Sequence, residues 1–548
     1  MSESLIKVKT IGSLEKVFPE TEPMVVETTR AGFQNEKFNF QLTFYNGSCD
    51  STKRNTLEII GELSEYVQVR TVEMVPATYF LPMKDDYYLK HDLSIYPDIL
   101  RPLGSLGIVL PRFQWKSVWI SVFNEKGLPT GTYPLQFVLR NELGEIVAKT
   151  SYTVEVLSGF LPACDIALTN WIHYDCIAQK HHAKPFSAKF YTFFEKYLKA
   201  YTDIGFNTLF TPIFTPPLDT AIGSERLTTQ LVEIEKSGGR YAFNFAKLKK
   251  FVRFALKRNI RYIEFSHLFT QWGGEYCPKI IAKENGEEKA IFGWNTSATG
   301  EEYACFLAQF LPALMNTIDE LGIKDRCYFH LTDEPQEKHL ENYEKCRRLV
   351  KSYIGDIPIM DAMSDYSFYE KGLVDIPVAM TNTYRSFASH NVENLFVYYC
   401  CSPADGYYSN RFFNMPSQRT RVLGFQLYQS GVKGFLHWGY NFYNSAFSLC
   451  EIDPYSQTDA GGMFPSGDSF IVYPTHTGMD LSLRAEIIKE GFQDYSALLL
   501  LERKLGKEKA KEVLAEFGID AFDVYPRSIQ THLEIRNQIN RLITEMKD

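Results

Sequence analysis

The sequence predicts a multidomain α/β chain in three parts: an N-terminal antiparallel β-sandwich over 1–160, a (β/α)8 barrel over 161–500, and C-terminal helices over 501–548. Three observations predict it. Up to about Leu157 the chain consists of short alternating runs parted by turn residues. Beyond that point apolar runs alternate with stretches whose apolar residues recur at spacings of three and four. The chain of 548 residues is also too long for one compact core.

In the first part "KFNFQLTFYNG" alternates and ends on Asn-Gly, and the segment from Lys116 to Leu157 holds three β-rich runs. This pattern suits an antiparallel sandwich. In the second part the strand-like runs are "IALTNWIHYD", "NTLFTPIFT", "IRYIEFSHLF", "RCYFHLTDE", "IPIMDAM", "IPVAMTNTY" and "GFLHWGYNF". Helical stretches such as "AKFYTFFEKYLKAYTDIG", "FAKLKKFVRFALKRN" and "EEYACFLAQFLPALMNTIDELG" separate most of them. Such sustained alternation predicts a parallel, TIM-like barrel. "NLFVYYCC" and "SFIVYP" compete for its last strand positions. From "SLRAEIIKEGFQDYSALLLLERKLG" onward the chain reads as helical and ends in a charged amphipathic tail.

A net charge of −8 with no dense Lys/Arg stripe argues against nucleic acid as a partner. No run approaches the roughly 18 continuous apolar residues of a membrane span. The N-terminal stretch shows no basic start followed by an apolar run, so no secretory signal is read there. Ten scattered cysteines without a CxxC pair, Cys400 and Cys401 being merely adjacent, then fit reduced thiols in a cytoplasmic protein. Aromatic residues make up 15% of the chain and gather in polar company, as in "QWGGEY" and "HWGYNFYNS". Aromatic faces beside Asn, Gly and His suit sugars, although core packing accounts for many single aromatics. The oligomeric state is not legible.

Polar residues collect where the strand-like runs end: His173 and Asp175, Thr211, His267, Asp333 and Glu334, Asp361, Asn382, then Trp438, Tyr440 and Asn441. In a β/α barrel that edge carries the active site. Asp333 and Glu334 stand out in "HLTDEP". Pro335 predicts an extended Glu334. One reading makes Asp333 the N-cap of the next helix; the other gives the pair chemistry. Glycosidases ordinarily need two carboxyl groups flanking one bond, which neighbours in sequence are poorly placed to do. A 2-acetamido sugar supplies its own nucleophile, so one carboxylate to orient the acetamide and one acid suffice. Mutual repulsion and burial are then expected to raise one pKa and keep Glu334 protonated. The competing scheme needs a separate nucleophile after "GFLHWGYNF", a run with no Asp or Glu.

In "FHLTDEP", in the segment from Cys400 to Asn444, and in "IDPYSQTDAGGMFPSGDSFIVYP" with the following "SLRAEIIKEGFQDYSALLLLE", the chain resembles glycoside hydrolase family 123, the β-N-acetylgalactosaminidases and their uncharacterised bacterial relatives. The resemblance implies a β-sandwich joined to a β/α barrel, and hydrolysis of terminal β-linked 2-acetamido sugars, N-acetylgalactosamine preferred, with retention through an oxazoline-type intermediate. Asp333 is then expected to position the acetamido group, and Glu334 to act as general acid and then base. Strand-end position further suggests Trp272 and Trp438 for stacking, and His173, His330, Tyr384, Arg411, Tyr440, Asn441 and Asp468 as substrate-binding residues. A retaining glycosidase with a separate nucleophile and a non-catalytic carbohydrate-binding barrel stay open as alternatives.

No metal or cofactor is expected. His181-His182 lacks acidic or cysteine partners at ligand spacing and reads as a solvated loop. No glycine-rich phosphate cradle and no Gly-x-Ser-x-Gly elbow occurs.

Overall fold

A computed structural model describes residues 6–48, 51–82, 85–90 and 92–545. Two sheets form the N-terminal part. One has seven strands in the order Ile6–Gly12, Phe38–Asn46, Trp115–Val122, Val67–Pro76, Ile95–Pro102, Gly478–Ser482, Val472–Thr475. The other has five, in the order Thr29–Phe33, Ile146–Leu157, Gly131–Arg140, Thr52–Ile60, Ile108–Leu110. Pairing is antiparallel except between Thr29–Phe33 and Ile146–Leu157. Alternation sends Phe40, Leu42, Val118 and Ile120 from the first sheet, and Phe137, Tyr152 and Val154 from the second, into one core. Phe40 stacks flat on Tyr152 with centroids 3.7 Å apart.

Eight short parallel strands form the centre of the second part, all but buried. Five make one sheet: Ala167–Asn170, Gly434–His437, Phe396–Tyr398, Ile376–Met380 and Met360–Met363. Three make another: Thr208–Thr211, Tyr262–Phe265 and Cys327–Phe329. The strand-like runs of the sequence therefore divide between two sheets. A single parallel bridge, Phe329 to Ile359, links them on one side. On the other, Asn207 donates from its backbone to Leu168 O (3.0 Å) and accepts from Leu168 N with its side chain (2.8 Å). The two competing runs part company: Phe396–Tyr398 joins the parallel strands, whereas Val472–Thr475 folds back onto the N-terminal sheet through Gly478–Ser482, which pairs with Ile95–Pro102.

Helices Ala188–Ile204, Ala246–Leu256, Glu301–Leu321 and Leu340–Ile354 lie where the 3.6-residue periodicity puts them, each burying its apolar stripe. A four-stranded excursion (Glu233–Ser237, Arg240–Asn244, Ile280–Glu284, Glu287–Phe292) interrupts the alternation. Its Asn285-Gly286 turn has φ of 53° and 88°, as a tight hairpin requires.

The long helix Leu483–Leu505 clamps the two halves together. Its Glu490 and Asp494 receive Arg421 at 2.7–2.9 Å, Glu490 also receives Arg30, and Glu486 pairs with Lys37 (2.6 Å) and Arg70 (2.7 Å). These pairs are nearly all buried, so removing one partner strands a charge, at a cost of about 3–5 kcal/mol. The terminal helix Ile529–Glu545 docks Ile535, Ile539 and Ile543 into the core and joins Arg536 to Asp494. Among the described residues no helix is long and apolar enough to cross a membrane.

Candidate active site

Residues from seven of the eight parallel strands and their following loops surround a cavity of about 190 Å³, which Asp333 and Glu334 line together. The ladder of their strand stops at Phe329. Past it, Asp333 O accepts from Trp272 N (2.8 Å) and Glu334 N donates to Ala362 O (3.1 Å), which pins the loop on both sides. Glu334 is not extended, as Pro335 led one to expect, but left-handed at φ 44°. The alternation of a strand is thereby broken, and two consecutive side chains face one cavity. Nor does Asp333 cap a helix: Gln336 and His339 form the capping box of the next turn.

Strain gathers here. Asp219, Trp272, Glu334 and Phe447 all line the cavity with φ between 41° and 59°. Each such residue costs of order 1–3 kcal/mol, a cost that concentrates at functional sites.

Both carboxyls are half-buried. Burial, then the charge of Glu334, pushes Asp333 well above the ordinary carboxyl value, against the pull of His330. The group so raised is Asp333. Tyr398, buried at the end of Phe396–Tyr398, donates its hydroxyl to Glu334 Oε1 at 2.6 Å. Beneath the pair lies a fully buried network: His330 reaches Asp361 Oδ1 through Nδ1 (3.1 Å) and Glu264 Oε1 through Nε2 (2.6 Å). Burial opposes a charged imidazole, but the two carboxylates outweigh it and raise His330 to about 9. Its stacking neighbour His267, 4.4 Å away, is driven the other way by burial and by that charge. Glu264 also receives Trp171 Nε1 (2.6 Å) and Thr169 (2.8 Å), so the indole that lines the cavity is held from below.

His267, His330 and Asp361 offer donor atoms within 4.8 Å of one another. His330 commits both nitrogens to carboxylates, which makes the group a hydrogen-bonded support for the loop rather than a preformed metal site.

Of the residues expected to bind substrate, Trp272 and Trp438 line the cavity. The others do not line it. Asp468 sits behind, accepts Trp438 Nε1 at 3.0 Å, and is raised by burial to about 7. His173 contacts Trp438 O (2.9 Å) and Arg226 (3.1 Å), while Asn441 brackets the His173 backbone with both amide atoms (2.9 and 3.0 Å). Arg411 is buried against the carbonyls of Gly439 and Asp468. Tyr440 is a core residue donating to Tyr197 O (3.0 Å), and Tyr384 donates to Ser430 O (3.2 Å) and edges onto Phe522. His181 is not solvated: it is buried, stacked on Phe193 and within 3.1 Å of the Tyr197 hydroxyl.

Sequence reasoning missed Trp171, Asp219, Gln271, Tyr398, Phe447 and Phe464, all in the lining. Asp219 Oδ2 accepts from Phe447 N (3.1 Å), its N donates to Gln271 (2.6 Å), and burial raises its carboxyl to about 6. Trp171 and Tyr398 had a signal: each stands at the end of an apolar strand-like run.

Adjacent carboxyls in an aromatic-walled cavity at the ends of parallel strands are the equipment of a glycoside hydrolase. The family model "Glycoside hydrolase 123, catalytic domain" matches residues 171–501, more than half of the chain. The chain belongs to glycoside hydrolase family 123. Comparison with curated proteins gives no match. Among solved structures, a family 123 glycoside hydrolase from Clostridium perfringens, described for glycolipid glycan hydrolysis, superposes with a TM-score of 0.73 at 16% identity, covering 99% of this chain and 98% of that one. A β-glucuronidase from Bifidobacterium dentium matches with a TM-score of 0.33 at 9% identity, covering 89% of this chain and 66% of that one.

Proposed function

We propose that the protein is a retaining, exo-acting glycosidase that removes terminal β-linked 2-acetamido sugars, N-acetylgalactosamine preferred, with the substrate's acetamide oxygen as nucleophile. The observation that carries this reading is the placement of Asp333 and Glu334, consecutive in sequence, in one cavity. Two such neighbours are poorly placed to attack a glycosidic bond from opposite faces, but well placed to serve a substrate that attacks itself. The proton chemistry follows from the same geometry. Burial and repulsion let the empty pair hold one proton, with Asp333 raised. An acetamido N–H donated to Asp333 favours its ionised form and leaves the proton to Glu334, which delivers it to the leaving oxygen. The Tyr398 hydroxyl then stabilises the Glu334 carboxylate, which acts as base on water in the second half.

Trp171, Trp272 and Trp438 offer faces for the C–H side of one sugar, and the cavity volume suits a single residue. At the rim, exposed Trp272, Phe447 and Met463 offer apolar area to the aglycone of a glycolipid glycan. The eight parallel strands read as one closed (β/α)8 barrel, supported by the Phe329–Ile359 bridge and the Asn207–Leu168 bonds at the two seams.

A second reading has a specific residue behind it. Asp219 is the other carboxyl in the cavity lining, and makes a separate nucleophile a definite alternative. Paired aryl β-glycosides that differ only at C2 decide between the two. The 2-acetamido sugar is expected to be cleaved with retention, and the thiazoline mimic of the cyclised acetamide to inhibit; cleavage of the 2-hydroxyl analogue at a comparable rate refutes substrate assistance.

A further inference from the structure

Two cavity-lining groups take no part in that chemistry. Cys400 and Cys401 follow the Phe396–Tyr398 strand, and both line the cavity beside Glu334 and Tyr398. Both are half-buried and unbridged, with sulfurs 3.9 Å apart. The turn that carries them is fixed: Cys400 N donates to Ser402 O (2.9 Å), and Asn410 Nδ2 donates to Cys400 O and to Pro403 O (3.0 Å each).

That separation suits a bridging ion. At 3.9 Å the two thiols are in contact and unbonded, a disulfide needing about 2.05 Å. A tetrahedral ion bound to two thiolates at about 2.3 Å holds their sulfurs about 3.8 Å apart, close to what the turn already provides. We propose that Cys400 and Cys401 form a two-thiolate chelating site for a soft divalent cation such as zinc or cadmium, inside the cavity. Two thiols exchange two protons for one ion, with no change of oxidation state, and water fills the remaining positions. An ion there occupies space that a sugar needs, and inhibition is the expected consequence. That consequence rests on the glycosidase reading; the chelation does not.

The test titrates the reduced, chelator-treated full chain with cadmium, following the ultraviolet thiolate-to-metal band and the protons released. One strong equivalent with two protons released is expected. Cys400→Ser and Cys401→Ser should each abolish it, whereas the double variant Cys305→Ser/Cys450→Ser, which removes two exposed thiols, should keep it. Near-ultraviolet circular dichroism without the ion checks that each variant is folded. A first equivalent that survives in either single variant, or is missing from the parent protein, overturns the site. A bound thiazoline should weaken cadmium binding; if it binds and does not compete, the ion is not in the cavity and that part of the proposal fails. If the thiazoline does not bind at all, the sugar reading fails while the chelation stands on the band and the protons.

Discussion

Replacing Tyr398 by Phe tests the assigned role of Glu334 with little else disturbed. The ring is buried and stays packed beside Phe396 and Leu436, so folding stability should barely change. What disappears is one hydroxyl, 2.6 Å from Glu334 Oε1. A hydrogen bond to a charged group is worth about 1.5–3 kcal/mol, which is roughly 10- to 150-fold in rate. The lower half of that range is expected, because the backbone bond from Glu334 N to Ala362 O still fixes where the side chain starts. The bond matters most when Glu334 has given up its proton, so the loss should fall on kcat and not on KM. It should also be larger for glycosides with poor leaving groups, whose transition states demand more proton transfer. Steady-state kinetics on a series of aryl 2-acetamido-β-glycosides, with thermal unfolding as control, measure both. A kcat within twofold of the parent, or a loss confined to KM, refutes the assignment of Glu334 as the acid held by Tyr398.

Glu334→Gln should lower turnover by about 10²- to 10⁴-fold on poor leaving groups and much less on activated aryl glycosides; equal losses on both would contradict the acid role. Asp219→Asn keeps an acceptor for Phe447 N and should cost less than about tenfold in kcat/KM if the acetamide is the nucleophile, whereas a collapse as deep as that of Glu334→Gln favours a covalent intermediate at Asp219. The buried His330 is a stability element with a definite pH window. Its folded pKa of about 9 lies above the ordinary 6.5, so its contribution is whole below pH 6.5 and is lost as pH rises through 9. The difference amounts to about 3 kcal/mol. Urea unfolding at pH 6 and 9.5 should show it as a difference in slope between the parent and His330→Asn. The comparison is needed because buried Lys16, lowered to about 7 by burial, tilts stability the opposite way over the upper part of that range; equal slopes would mean that His330 is not charged in the fold.

The elements of regular period were legible. Leu340–Ile354 and Glu301–Leu321 announce themselves by apolar spacing, and the Thr208–Thr211 and Met360–Met363 strands by short apolar runs. Partner choice was not, because hydrogen bonding between strands leaves no local trace. Val472–Thr475 looks like any buried strand, and only its long-range pairing assigns it to the N-terminal sheet. The four-stranded excursion did leave a mark in Asn285-Gly286, a hairpin turn that went unread. In the site, Asp333, Glu334, Trp272 and Trp438 were found because chemistry and strand-end position coincide. Tyr440 and Asn441 share that position yet face inward, since a polar side chain at a strand end can satisfy the backbone as readily as a ligand. Asp219, Phe447 and Phe464 come from loops, where periodicity says nothing.

The most instructive failure is at Glu334 itself. Pro335 argues for an extended residue, and an extended residue would turn Glu334 away from the face that Asp333 presents. Left-handed backbone at Glu334 defeats that rule, and it persists only because the surroundings over-determine it. Trp272 N holds Asp333 O, Ala362 O holds Glu334 N, Tyr398 holds the carboxyl, and Leu331 N is fixed by Asp361, which Tyr343 and His330 hold in turn. Local propensity and global structure disagree at the one residue to which the acid role is assigned. The His330 network is therefore part of the site although it does not line the cavity: it stabilises a loop conformation that the sequence disfavours, and with it the side-by-side carboxyls on which substrate assistance depends.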